Sequence, residues 1–594
     1  MTSSVFLHPT AAFIGLALAM PFLRGDKWWK WLLLLPPIIA LYSVFTVSMG
    51  DYGAVTYLGH KLLLGRVDRL SLVFANVFAV QALIGMIYAL HVDDKAQHAA
   101  GAMYVAGSFG CVFAGDYLTL FIFWEMMSVA STFLIWLNRN PTSTAAGFRY
   151  FLFHILGGLF LLGGLLMRYK AIASFDFVYV PFEQMMYYDW LILIGFCVNA
   201  AVIPLHAWLP DAYPEATPTG AVFMCAFTTK TAVYVLARAF AGNEILAVAG
   251  VVMAVYGVIY ASMENNARRI LSYHIVSQVG YMVAGIGIGT VMTVNGAVAH
   301  AYAHILYKGL LFMGMGTVLY ATGTAHLDKL GGLVKRMPWV MVLYMVGAVS
   351  ISGLPFFNGF VSKTMTIAGA AESHHTWLAI GMEIAAVGTF LSVGIKLPYF
   401  AFWAKPTNEV MPLKPIPANM YVAMGISAAL CLAQGLYPNM LYTLLPNPEE
   451  AFHYHPYSGW HLLQAWMLLG FTGLGFYVLK KTLTPHAGRN ADFDKLYRLV
   501  GNGVLALVCR PLAWLDGIWT EVYRTIGLRS FLGLADGASW FDRKGIDTVV
   551  DGTAYTVGGV GRIAAKTQTG RIQDYLSWGV ALVLVVFAAV WYLS

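Results

Sequence analysis

Apolar stretches of membrane-crossing length recur along nearly the whole chain, and short turns between them hold most of the charge. A helical crossing of the hydrocarbon core needs about 20 apolar residues, and the chain offers about sixteen such segments. Two of them are interrupted. NAAVIPLHAWLPDAYPEATPTG places Pro204 and Pro210 inside an apolar run, and SISGLPFFNGFVSK does the same with Pro355 and Gly359. Proline removes a backbone donor and glycine loosens a helix. Irregular backbone at membrane depth survives only where it lines a cavity. Paired breaks in two halves of a chain predict two inverted repeats with an ion path at the breaks.

The predicted fold is therefore an all-α polytopic membrane protein. N-terminal spans occupy roughly residues 1–95, a first repeat 96–243, a second repeat 244–404, peripheral spans 405–483 and a terminal span 575–594, each boundary good to a few residues. Between the last two, residues 484–574 change character. DFDKLYRLVGNGVLALVCRPLAWLDGIWTEVYRTIG mixes Trp, Leu and Val with charges at helical spacing, the pattern of an amphipathic segment lying along an interface. Pro511, Gly517, Gly527 and Gly533 predict that this lateral segment is not one unbroken helix.

Composition agrees. Only 11% of the 594 residues are charged and 59% are hydrophobic, whereas soluble chains carry roughly 25% charged residues. No cleavable leader is expected, because the first apolar stretch (Phe13 to Phe22) runs into a charged turn and a second span. Lys and Arg collect on cytoplasmic loops, and with the N-terminus outside those loops gather Arg24, Lys27 and Lys30, then Arg139 and Arg149, Arg268 and Arg269, Lys335 and Arg336, Lys480 and Lys481. The lateral segment then falls on the cytoplasmic face. The +7 net charge reflects this loop excess, and no nucleic-acid partner is expected. The five cysteines show no metal or redox spacing. Without a dinucleotide glycine fingerprint or haem motif, no cofactor and no catalytic residue are expected.

Charge inside the apolar runs carries the chemistry. Glu125 sits in FIFWEMMSVAS, Lys230 in AVFMCAFTTKTAVYVLA, and His300, His304 and Lys308 in VAHAYAHILYKGLLFM. An ionisable group at membrane depth is costly and marks a substrate, ion or proton path. The spacing i, i+4, i+8 puts His300, His304 and Lys308 in one stripe on one helix face, about 6 Å apart. That is a proton relay bridged by water. HxxxH is also a metal-ligand spacing, but Ala301 stands where a metalloprotease motif has glutamate and no third ligand is apparent; no metal is expected. His274 in RRILSYHIVSQVGYM either extends the polar axis or is a hydrogen-bonded core residue. Lys363, after the second break, either ends the relay or caps a half-helix. Lys396, near Pro398 and the end of its span, is expected to snorkel to the interface.

FWEMMS, PLHAWLPDA, TKTAVYVLAR, RRILSYHIVSQVGYM, AHAYAHILYKGLLFM, HLDKLGGLVKRMP and SGLPFFNGFVSK together resemble the antiporter-like subunits shared by respiratory complex I, membrane-bound hydrogenases and Mrp cation/proton antiporters. The core is similar to the D subunit of Mrp antiporters. The last quarter, with KTQTGRIQDY before a terminal span, resembles the distal large antiporter-like subunit of complex I. The resemblance implies that Glu125 is the acid of a first half-channel, Lys230 its partner, His300, His304 and Lys308 a central relay, and Lys363 the lysine of a second half-channel. Arg268 stands where the family has a basic residue. One position departs: the family commonly carries a lysine five residues before the proline of PLHAWLPDA, and here that residue is Asn199.

The expected function is a proton-translocating membrane subunit, or a Na⁺/H⁺ antiport subunit, of a multi-subunit complex in a bacterial plasma or inner membrane. Its partners would be other membrane subunits and the lipid bilayer, and any redox chemistry would belong to a partner. The alternative is the pumping subunit of a complex I-like NADH:quinone oxidoreductase or of a hydrogenase or formate hydrogenlyase-type complex. An autonomous solute transporter would cluster its polar residues in one midplane pocket, and the residues here spread over many spans.

Overall fold

The computed structural model describes residues 6–23, 27–57, 59–405 and 412–593. Arg24, counted above among the cytoplasmic cations, lies outside the described residues. The chain divides into two compact units, Met1–Asp494 and Lys495–Ser594.

The first unit opens with α1 (Pro9–Ala19) and α2 (Leu35–Thr46), and a hairpin of β1 (Gly50–Tyr57) and β2 (His60–Val67) follows. Helices α3 (Arg69–Ala89), α4 (Lys95–Phe113), α5 (Tyr117–Trp136) and α6 (Pro141–Ile172) come next. The first broken span comprises α7 (Tyr187–Asn199) and α8 (Trp208–Ala212). It leads into α9 (Pro218–Met224) and α10 (Thr228–Ala239). Helices α11 (Glu244–Met263), α12 (Ala267–Ile288) and α13 (Val291–Thr322) precede the second broken span, α14 (Pro338–Ser352) and α15 (Asn358–Glu372). The unit closes with α16 (Thr376–Thr389), which continues into π turns, α17 (Ala418–Leu436), two short helices α18 (Asn439–Tyr442) and α19 (Pro448–His453), and α20 (Gly459–Leu479).

Polar caps set the helix starts. Asp116 accepts from the Thr119 amide at the head of α5, Asn140 from Ser143 at α6, Asn266 from Arg268 at α12 and Thr290 from Thr293 at α13. Each fills a donor that the first turn leaves unpaired. These caps recur in register: 266 minus 116 and 290 minus 140 both give 150. The isolated bridges Asp116–Asp176 and Asn266–His326 keep the same offset at both partners. Helices α6 and α13 are each 32 residues long and begin 150 residues apart.

Small residues bring helices close where lipid offers no hydrophobic drive between them. A Cβ on Gly250 of α11 would stand 2.2 Å from the Ala284 amide nitrogen of α12, and one on Gly280 would stand 2.6 Å from that of Ala254.

Several sequence expectations need correction. Twelve helices among the described residues are long and apolar enough to cross a membrane, not sixteen. The stretches 97–115 and 270–289 form the long helices α4 and α12 but fall outside those twelve, while 9–22 and 338–352 are apolar but short. The fold is not purely helical, since residues 50–67 pair as an antiparallel hairpin; Val55, Thr56 and Tyr57 favour a pleated strand. The predicted span 217–240 is itself broken between α9 and α10, at residues 225–227. The amphipathic segment is also continuous where a break was expected. Helical backbone runs unbroken from Phe493 to Thr567, with π turns at Leu505–Cys509, Tyr523–Arg529 and Asp542–Ile546. Pro511 falls in the first turn after one of these wide turns, where a missing amide donor costs least. The last helix spans Ile572–Leu593.

Candidate functional site

Three buried lysines share one device. Lys230 lies in the first turn of α10, and its ammonium donates to the Cys225 carbonyl at 2.7 Å and to Thr229 Oγ1 at 3.1 Å. Cys225 ends α9, so the chain break supplies the acceptor. Lys363 of α15 donates to the Ile351 carbonyl at the end of α14, at 2.9 Å. Lys396 donates to the Ser262 and Glu264 carbonyls at the end of α11, at 2.7 and 2.9 Å. The last turn of a helix leaves carbonyls unpaired and carries partial negative charge, which holds a cation without a carboxylate. Lys396 is 2% exposed, so it caps α11 rather than snorkelling as expected. Lys363 makes the half-helix capping contact that was one of its two readings.

Helix α13 carries the next stretch. His300 Nδ1 lies 3.0 Å from Ser362 Oγ of α15, and its Nε2 lies 3.2 Å from Gln278 Oε1 of α12. The His304 ring stands 6.4 Å from that of His300, and neither of its nitrogens has a hydrogen-bond partner among the described residues. Lys308 Nζ has none either and is fully buried. Lys230, His304 and Lys308 lie near enough to feel one another's charge. The stripe predicted from spacing is thus drawn into one row with Lys230, Ser362 and Lys363 by α10 and α15.

Glu125 of α5 is half-buried, and its carboxylate rests on Gly158 of α6. A Cβ at Gly158 would stand 2.0 Å from Glu125 Oε1, an atom with no hydrogen-bond partner among the described residues. Asn199 ends α7 where the first break begins. Its Oδ1 meets His154 Nδ1 of α6 at 2.9 Å, both residues fully buried. Arg268 is a clamp: its guanidinium donates to the carbonyls of Tyr213, Pro214, Ala216 and Thr217 at 2.8–3.3 Å. His274 Nε2 lies 2.6 Å from Ser392 Oγ, linking α12 to the π turn after α16.

Two polar groups escaped the sequence reading. Glu383 sits at depth in TWLAIGMEIAAVGTF, accepts from Gln464 Nε2 at 2.8 Å and lies within electrostatic reach of Lys363. It lines a cleft of about 830 Å³ between α16 and α20. The signal that marked Glu125, an acid inside an apolar run, was present here too. Asp492, after α20, reaches back to the first broken span, 3.3 Å from His206 Nε2, and accepts from the Tyr256 and Tyr273 hydroxyls. Burial alone would raise its carboxyl; His206 and the two tyrosines outweigh that and hold it at about 2. Nearby, Asp211 pairs with Arg149 at 2.7 Å and with Arg489 at 3.2 Å.

Residues 114–392, which hold every one of these buried lysines and histidines except Lys396, match the family described as NADH:quinone oxidoreductase/Mrp antiporter, transmembrane. A large Na⁺/H⁺ antiporter protein of Alkalihalophilus pseudofirmus, itself one component of that antiporter, is 29% identical over 77% of this chain and 66% of its own length. The chain belongs to the antiporter-like subunit family. Hydrogenase-4 component B of Escherichia coli is 28% identical over 65% of this chain and 64% of its own length. The chain thus spans about two thirds of the length of these relatives. A chain in the structure of the Mrp complex from Dietzia sp. DQ12-45-1b superposes with a TM-score of 0.65 at 22% identity, covering 78% of this chain and 96% of that one. The antiporter-like fold is shared.

Proposed function

We propose that this chain is a proton-translocating membrane subunit of a multi-subunit complex, moving H⁺ alone or exchanging Na⁺ for H⁺. The observation that carries this is the buried row Lys230, Lys308, His304, His300, Ser362 and Lys363, strung between chain breaks whose carbonyls hold its end lysines. Cations at membrane depth without paired carboxylates are expensive, and such a row is retained for transport. Removing a proton from one lysine lowers the repulsion on the next, so occupancy passes along the row. Glu125 would load the first half and Lys363 with Glu383 the second; Arg268 and His274 act on the geometry of the row. The two antiporter-like repeats, 96–243 and 244–404, are supported by the 150-residue offset of caps and bridges.

The membrane is a bacterial plasma or inner membrane, with the N-terminus outside and residues 484–574 on the cytoplasmic face, as the Lys and Arg distribution supports. Partner subunits of an Mrp-type, complex I-like or hydrogenase-type assembly accord with the relatives above. The test is dye quenching driven by ΔpH and by Na⁺ in inverted vesicles holding the complete complex. Lys230→Ala is expected to abolish ion movement while the complex still assembles. Wild-type ion movement in that variant would make the row structural and overturn the reading; a response to Na⁺ selects antiport.

A further inference from the structure

We propose that His154 carries protons between Glu125 and Lys230, as the first-half counterpart of His304. The proposal rests on the translocation reading above. Nothing in the sequence singles out His154, which sits in RYFLFHILGG as an isolated histidine. Register supplies the reason. Helices α6 and α13 have equal length and start 150 residues apart, so Tyr150, His154 and Gly158 occupy the places of His300, His304 and Lys308. Both imidazoles are fully buried. In the third place the first half has no lysine; it has a glycine, and the carboxylate of Glu125 fills the space.

The local chemistry suits a proton carrier. A carbonyl oxygen only accepts, so with Asn199 Oδ1 at 2.9 Å, Nδ1 of His154 carries the hydrogen. Nε2 then holds a free lone pair, and it has no hydrogen-bond partner among the described residues. A proton arriving at Nε2 makes an imidazolium whose charge Asn199 Oδ1 stabilises. The proton leaves from Nε2 to the Glu125 carboxylate or returns by the same route, so only N–H and O–H bonds form and break. His154 and Gly158 are one turn apart on one helix face, with side-chain origins about 6 Å apart. The carboxylate resting on Gly158 is therefore within one water of the ring.

The other side leads to Lys230. The Tyr150 ring lies 4.1 Å from that of His154, and its hydroxyl bonds Ser131 Oγ at 2.8 Å and faces Thr228 of α10, two residues before Lys230. Trp208 of α8 closes the remaining side at 4.6 Å. The titratable and charged groups around the imidazole are thus Glu125 on α5, Tyr150 on its own helix and Lys230 beyond Thr228; α7 contributes the neutral Asn199 and α8 the neutral Trp208.

The test uses the complete complex in inverted vesicles, with the initial rate of ΔpH-driven dye quenching as the readout and assembly measured in parallel. His154→Asn keeps a donor where Nδ1 was and removes the ionisable ring. It is expected to slow translocation about tenfold or more, with assembly unchanged. Adding Asn199→Lys to His154→Asn restores a protonatable group and is expected to recover most of the rate, which a purely structural histidine would not allow. If His154→Asn fails to assemble, Asn199→Leu is the second variant: it leaves the ring and removes its anchor, and about tenfold slowing is again expected. A His154→Asn or Asn199→Leu rate within twofold of wild type, with Lys230→Ala inactive, overturns the role of His154 and leaves the translocation reading standing. Wild-type rates in Lys230→Ala as well overturn both.

Discussion

Asp492→Ala should release the segment that follows α20 from the first broken span. Two routes give the size of the effect. Tyr273 donates to the carboxylate at 2.6 Å and Tyr256 donates to its other oxygen; a hydrogen bond to a charged group contributes about 1.5–3 kcal/mol. Separately, the carboxyl is held at about 2 against an ordinary 3.8, a difference of about 1.8 units or roughly 2.4 kcal/mol. The segment keeps some access to water, and screening trims this to about 2 kcal/mol. Arg489 on Asp211 and Asn490 on the Met263 carbonyl, at 3.2 and 3.1 Å, remain as anchors. The loss is therefore local, about 30-fold in the opening equilibrium. Hydrogen exchange of the assembled complex reads this directly as a roughly 30-fold drop in amide protection over residues 486–493. The sign with pH follows from the depressed carboxyl. Its contribution is complete above pH 3.8 and fades as pH falls from there toward 2, so wild-type protection should not loosen between pH 8 and 5. Unchanged protection in Asp492→Ala, or loosening of the wild type over that range, would refute the reasoning.

Arg268→Ala leaves four carbonyls in the 213–217 turn without their donor, and should cost more than about 3 kcal/mol, seen as loss of assembled protein on native gels. Arg268→Lys should not restore it, because one ammonium cannot span four acceptors; normal accumulation of either variant sinks the clamp. Gly250→Ala drives a methyl to 2.2 Å from the Ala284 backbone and should lower the melting temperature by several degrees, an overpacking cost of about 1–3 kcal/mol. Gly163→Ala, with nothing within 4 Å, should stay within about 0.5 kcal/mol of wild type. Equal melting of the two would show that α11 and α12 do not touch as described.

Glu125, Lys230 and the His300–His304–Lys308 stripe were legible because a charge in an apolar run stands out whatever the fold. The first and third breaks were legible because Pro204, Pro210, Pro355 and Gly359 mark them. The second was not: Cys225, Ala226 and Phe227 carry no breaking signal, so Lys230 looked like the centre of a continuous span when it lies in a first turn. Pro511 misled in the other direction, since a preceding π turn absorbs it. Glu383 was as visible as Glu125 and was passed over. His154 had no visibility of its own; its meaning comes from Asn199, 45 residues away.

Residence in a membrane follows from the sequence alone, because the length of an apolar run is a local property and water or lipid judges each run separately. The same holds for which side chains are too costly to bury without a purpose. How those side chains cooperate is not local. Ser362 reaches His300 across 62 residues, and Asp492 reaches Tyr256 across 236. Proton transfer and Coulomb coupling both fall steeply with distance. Only the packing that brings α6, α10, α13 and α15 together turns scattered charges into a row.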